Sequence, residues 1–126
     1  MIKIFLLMVL LHIIDDFVLQ PISLSKLKQK KWWVDECSKQ TLSLNKYKND
    51  YLMALIIHSL SWSIMIHLPI ILLLNISDFW LVLSVLINSV IHFTVDDFKA
   101  NRGQLNLVYD QSIHFLQLII TFIILI

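Results

Sequence analysis

Glycine occurs once in these 126 residues, as Gly103, and cysteine once, as Cys37. The lone glycine excludes a glycine-rich loop that cradles phosphates. The lone cysteine excludes a disulfide framework and fits a reducing compartment. Charge is also scarce: 15% of residues are Asp, Glu, Lys or Arg, against 58% hydrophobic. A water-soluble domain of this length exposes much more charged surface, so a membrane solvent is implied. The formal net charge of +1 leaves the partner class open, although the distribution of charge does not. Ser59, Ser61 and Ser63 form no nucleophile site, because nothing in the sequence fixes a base against them. No internal repeat and no low-complexity segment is present.

What is present is apolar sequence in four long runs, each near the roughly 20 residues that cross a bilayer as a helix. The expected fold class is all-α, an integral membrane four-helix bundle with helices at 2–20, 51–74, 78–99 and 107–126. Residues 1–126 then form a single membrane domain. Pro21 suits a position just beyond the end of the first helix. No small-residue cleavage site follows the first run, which ends DDFVLQP, so a secretory signal peptide is rejected. The connection NIS between the second and third runs is short enough to make them an antiparallel pair.

Residues 21–50 are the one substantial polar stretch and hold seven of the ten Lys and Arg residues. Positive charge in short loops marks the cytoplasmic side. The 21–50 and 99–106 loops are therefore expected in the cytoplasm, both termini outside, and the chain in the cell (inner) membrane; Lys3 alone pulls the other way. Within the loop, Lys26, Lys28, Lys30 and Lys31 precede Trp32 and Trp33. This pattern fits contact with anionic lipids at headgroup level, or a solvated loop that only enforces topology. Nucleic-acid binding is not expected from so small a patch. Four short helices are compatible with assembly into a homo-oligomer.

The first run contains LHIIDDFVLQ, which is polar for a membrane helix. His12, Asp16 and Gln20 are spaced by four and share one face, with Asp15 to one side. The spacing recurs as His92 and Asp96 in IHFTVDDFK, with Lys99 on the same side, and inverted as Asp110 and His114 in YDQSIH. With a helix rise of about 1.5 Å, His12 lies roughly 12 Å inside the cytoplasmic end and His58, His92 and His114 roughly 10 Å. Four histidines thus fall at one level, with Asp16, Asp96 and Asp110 nearer the cytoplasm. His67, nine residues after His58, falls on the opposite face and is expected as an interhelical or lipid-edge histidine.

Ionisable groups within a bilayer are costly unless paired, hydrated or bound to something. A single His–Asp pair is often only an interhelical contact; three pairs and His58 at one depth point to a functional centre. The metal-ligand set expected is His12, Asp16, His58, His92, Asp96, Asp110 and His114. Mixed nitrogen and oxygen donors suit a divalent zinc, manganese or iron ion. Asp16, Asp96 and Asp110 are also candidates for general base or ligand orienter. Lys99 fits an oxyanion or substrate-phosphate contact, or simple snorkelling to the interface. Gln20 and Gln111 either help bind substrate or finish helix ends.

HIIDDFVLQ, His58, HFTVDDFK and DQSIH together resemble the domain of unknown function 3307 family of small bacterial and phage-associated membrane proteins. The resemblance covers nearly the whole chain and implies a membrane fold with a shared polar centre, but no activity. The positions it carries over are His12, Asp16, Gln20, His58, His92, Asp96, Lys99, Asp110, Gln111 and His114. The 21–50 loop is longer than in the family pattern, so its role does not transfer. The leading expectation is a metal-dependent hydrolase of a lipid or membrane-associated substrate. The rivals are a proton or divalent-ion transport component, and a non-catalytic, phage-encoded membrane interaction protein. A transporter needs a polar route to the outer face, and the sequence offers none beyond His67.

Overall fold

A computed structural model describes residues 1–126 and is all-helical, with 83% of residues in helix and no strands. Helix α1 (Ile2–Ile13) runs directly into a π-helical turn, Ile14–Leu19. Pro21, extended at φ −65° and ψ 158°, ends that segment. Three short helices follow, α2 (Ile22–Leu27), α3 (Lys30–Lys39) and α4 (Leu44–Tyr47). The 21–50 stretch is therefore largely helical, which corrects the expectation of a plain loop. The long helices are α5 (Asp50–Leu73), α6 (Asp78–Ala100) and α7 (Leu107–Leu125), each within one residue of its expected bounds.

Three stretches, Leu44–Leu73, Asp78–Ala100 and Leu107–Leu125, are long and apolar enough to cross a membrane. α1 proper has 12 residues, about 18 Å at the standard rise and short of a hydrocarbon core of about 30 Å. α5 and α6 pack as the hairpin that the short 74–77 connection requires, α1 lies against α5 and α7, and α6 also meets α7.

The burial pattern is inverted relative to a soluble protein. Polar and charged side chains outnumber hydrophobic ones among the buried residues, whereas Leu6, Leu10, Ile57, Val90, Ile120 and Ile123 are exposed. Such an arrangement is consistent with surroundings that are themselves apolar. The apolar core is confined to one part of the interior, where Ile4, Met8, Trp62, Ile66, Ile70 and Leu118 meet. Buried polar residues fill the rest, both toward the α2–α3 side (His58, His92, Asp96, His114) and beside the apolar core (His67, Asn88, Thr121).

Candidate metal centre

The π turn decides what α1 offers to the interior. In a regular α-helix Asp15 stands about 100° from Asp16, and only one of them can face inward fully. The wider turn of a π segment lowers the rotation per residue. Both carboxylates turn inward, with Asp15 2% exposed and the Asp16 side chain 6% exposed. Asp15 is therefore a member of the polar centre and not an interfacial neighbour. Its Oδ1 accepts from Ser61 Oγ at 2.8 Å, and its Oδ2 lies 3.7 Å from His58 Nδ1.

His58 from α5, His92 and Asp96 from α6, His114 from α7 and Asp16 from the π turn converge. His58 Nε2 lies 3.2 Å from His92 Nε2, and 3.5 Å from both Asp16 Oδ1 and Asp96 Oδ2. His114 Nε2 lies 3.4 Å from Asp96 Oδ1, and His92 Nε2 lies 3.8 Å from that same oxygen. Two overlapping triads result, Asp16–His58–His92 and His92–Asp96–His114, and each can hold a metal ion.

These spacings have a physical meaning. Ligands about 2.1 Å from a tetrahedral zinc-like ion lie roughly 3.4 Å from one another. The 3.2–3.8 Å contacts are compatible with donors around one ion and equally with direct His–His and His–Asp contacts. Asp16 Oδ1, Asp110 Oδ1 and His114 Nε2 are buried without a hydrogen bond, each in a His–Asp contact of 3.4–3.5 Å, and Asp110, expected among the ligands, lies outside both triads. Buried polar atoms without hydrogen bonds are rare in folded proteins, and a catalytic role, local strain or a bound cation or water each accounts for them.

Two lysines complete the electrostatics. Lys99 Nζ donates to Asp110 Oδ2 at 2.6 Å, and Lys28 Nζ donates to Asp96 Oδ2 at 2.6 Å. Lys28 is only 6% exposed. It was expected among the lipid-facing lysines, and its burial against Asp96 corrects that placement; Lys26, Lys30 and Lys31 remain exposed. Four carboxylates, Asp15, Asp16, Asp96 and Asp110, share this interior with two ammonium groups and four imidazoles, each imidazole 3.4–3.8 Å from a carboxylate oxygen. Gln111 Nε2 donates to Asp16 Oδ2 and Asp110 Oδ2, each at 3.1 Å, tying the π turn to α7. Gln20 lines the adjacent cavity of about 100 Å³, together with Asp16, Lys28, Asp96, Lys99, Asp110 and Gln111.

His12 is placed differently from the expectation. Its Nδ1 accepts a hydrogen bond from Trp62 Nε1 at 2.7 Å, and it belongs to neither triad. A neutral imidazole whose Nδ1 accepts carries its proton on Nε2 and has no second lone pair for a metal. His12 therefore supports Trp62, and Trp62 in turn stacks on His92 with ring centroids 4.3 Å apart. Trp62 was not singled out from the sequence, although it lies four residues after His58 and so on the same helix face.

His67 is fully buried and interhelical, not at the lipid edge. Its Nδ1 donates to Ser63 O at 2.7 Å, which leaves Nε2 to accept from Ser84 Oγ at 2.8 Å. The polar contacts continue: Asn88 Nδ2 donates to Ser84 Oγ at 3.3 Å, Thr121 Oγ1 to Asn88 Oδ1 at 3.1 Å, and Gln117 Nε2 to Asn88 O at 2.7 Å. Such interhelical bonds contribute about 0.6 kcal/mol on average and up to about 1.7 in a membrane protein. His67→Ala is expected to destabilise the protein within that range and to leave metal content unchanged. Denaturant titration in mixed micelles with elemental analysis checks both, and loss of metal would place His67 in the centre after all.

No known family model matches the chain, and no curated protein or solved structure matches it. The resemblance noted above therefore rests on the quoted residues, and the site rests on its own geometry.

Proposed function

We propose that this is a multi-pass membrane protein, related to the domain of unknown function 3307 family, that hydrolyses a lipid or membrane-associated substrate at an intramembrane divalent-metal centre. The observation that carries the reading is the convergence of His58, His92, His114, Asp16 and Asp96 at ligand-like spacings beside a polar cavity. In this reading α1 and its π turn form a fourth span, completing a four-helix bundle. The α2–α4 segment and the 101–106 connection lie on the cytoplasmic side, and both termini outside. The exposed Lys26, Lys30 and Lys31 draw the α2–α3 segment to anionic headgroups, with Trp32 and Trp33 at that level.

A bound zinc, manganese or iron ion supplies Lewis acidity and a more acidic water. The remaining chemistry belongs to the chain. Asp110, whose Oδ2 is held by Lys99 and whose Oδ1 lies 3.5 Å from His114 Nε2, is the candidate to take a proton from an attacking water. Lys99, 35% exposed at its side chain, places positive charge where a developing oxyanion meets the cavity. Asp15 faces the far nitrogen of His58 and Trp62 fixes the plane of His92, so these two residues position ligands.

Elemental analysis of the detergent-purified protein tests the reading. About one equivalent of zinc, manganese or iron is expected in the wild type. A folded His58→Ala, His92→Ala double variant should lose it, whereas His12→Ala should keep it. No metal in the wild type after reloading would remove the hydrolase reading.

A second reading has one specific observation in its favour: the buried polar series His67–Ser84–Asn88–Thr121–Gln117 runs beyond the metal-ligand cluster. A proton or divalent-ion transport component would use it as the onward route. Ion flux in proteoliposomes that is abolished by Asn88→Leu would favour this reading over hydrolysis.

A further inference from the structure

Lys28 reaches the polar centre through a purpose-built turn. It lies in the two-residue connection between α2 and α3, and the Asn101 side chain at the end of α6 grips that connection on both sides. Asn101 Nδ2 donates to Lys28 O at 3.1 Å, and Asn101 Oδ1 accepts from Lys30 N at 2.7 Å. Asp97 Oδ1 accepts from the same Asn101 amide at 2.9 Å and fixes its orientation. One amide thus holds both strands of the turn and aims Lys28 inward.

Lys28 and Lys99 line a common cavity of about 100 Å³. They also line a second space of about 260 Å³ that shares Gln20 and Asp96 with the first. Each ammonium has three N–H donors and gives one of them to a carboxylate. Two cations with spare donors, a carboxamide from Gln20, and room for a small group make a receptor for a tetrahedral oxyanion. Asp16, Asp96 and Asp110 also line the smaller cavity, but each already accepts a hydrogen bond, from Gln111, Lys28 and Lys99 respectively.

We infer that the cavity between Lys28 and Lys99 binds the phosphoryl group of the substrate, with Asn101 as the residue that positions Lys28. The substrate class is then a phosphate monoester, carried on a lipid headgroup or on a soluble molecule. Its place beside the reacting atoms rests on the metal-centre reading, while the binding step rests on the cavity alone.

The experiment uses the full chain in nanodiscs of phosphatidylcholine, with radiolabelled inorganic phosphate as probe and metal content measured on the same samples. Saturable phosphate binding is expected, weakened at least tenfold by Lys99→Met and by Lys28→Met, and unchanged by Lys39→Met at the exposed end of α3. Lys28 is buried and its variant is at risk of misfolding, so Asn101→Ala serves as a second probe. It keeps both charges and should weaken binding severalfold, with metal content intact. Competition by phosphatidic acid in the disc identifies a headgroup source; competition by a soluble monoester alone identifies a soluble one.

Either competition result upholds the site. Absence of phosphate binding in metal-containing protein overturns it and leaves the metal centre standing. Binding indifferent to Lys28, Lys99 and Asn101 overturns it as well. Binding that follows both lysines in protein without metal upholds the site and overturns the metal reading.

Discussion

Replacing Asp96 by Ala is expected to abolish metal retention and to destabilise the protein by about 3–5 kcal/mol, the usual cost of breaking a buried ion pair from one side. Asp96 joins two halves of the polar interior. Its Oδ2 accepts from Lys28 Nζ at 2.6 Å, while its Oδ1 faces His114 Nε2 at 3.4 Å and His92 Nε2 at 3.8 Å. Without the carboxylate, the Lys28 ammonium is left unpaired with its side chain 8% exposed. Adding Lys28→Met to Asp96→Ala should recover most of the stability, because an apolar chain of similar length removes the stranded charge. It should recover none of the metal. Denaturant titration in mixed micelles and elemental analysis read the two effects separately. Equal stability of the single and double variants would show that Lys28 is not held by Asp96.

Trp62→Ala is expected to cost about 3 kcal/mol, the low end for removing a buried Trp from a soluble core. The low end applies because lipid tails are as apolar as the core, so packing and hydrogen bonding are lost without the full transfer term. Trp62 is fully buried, stacks on His92, and also meets His114 with ring centroids 5.5 Å apart. Loosening two rings of the ligand set should weaken metal affinity about 10–100-fold, as removal of ligand-supporting residues does elsewhere. Trp62→Phe separates packing from hydrogen bonding. It keeps a ring against His92 but leaves His12 Nδ1 without its donor, at a cost of about 1–3 kcal/mol. Metal titration followed by competition with a chelator measures the affinities. Unchanged metal affinity in Trp62→Ala would mean that the histidines are held by the helices alone.

The outcome for His12 shows how far spacing can be pushed. Counting residues from the helix ends places four histidines at one level, and His58, His92 and His114 do meet. His12 reaches the same level, with its ring centroid 6.4 Å from that of His114, yet is taken by Trp62. Depth along an axis is legible because the rise per residue is nearly constant. Which neighbour wins a particular nitrogen depends on side chains from other helices, and no spacing rule encodes that.

Lys28 and Asp15 illustrate two further limits. Lys28 and Asp96 are 68 residues apart in sequence, and Asn101 helps hold the α2–α3 turn that brings them together at the end of α6. In the sequence, Lys28 is one lysine among several in a basic run. Asp15 faces inward because the helix widens into a π turn over Ile14–Leu19, and a pattern read at 100° per residue misses that rotation.

The sequence by itself determined the apolar character, length and pairing of the long helices, and the level at which polar groups gather, because hydropathy and helix rise are local properties that add along the chain. Only the tertiary structure decided which atoms face one another: the inward turn of Asp15, the capture of His12 by Trp62, the burial of Lys28, and the polar series from His67 to Gln117. Those depend on how the long helices and one turn close on a shared interior, where partners come from distant parts of the chain and a few buried atoms, Asp16 Oδ1 among them, are left without a hydrogen bond.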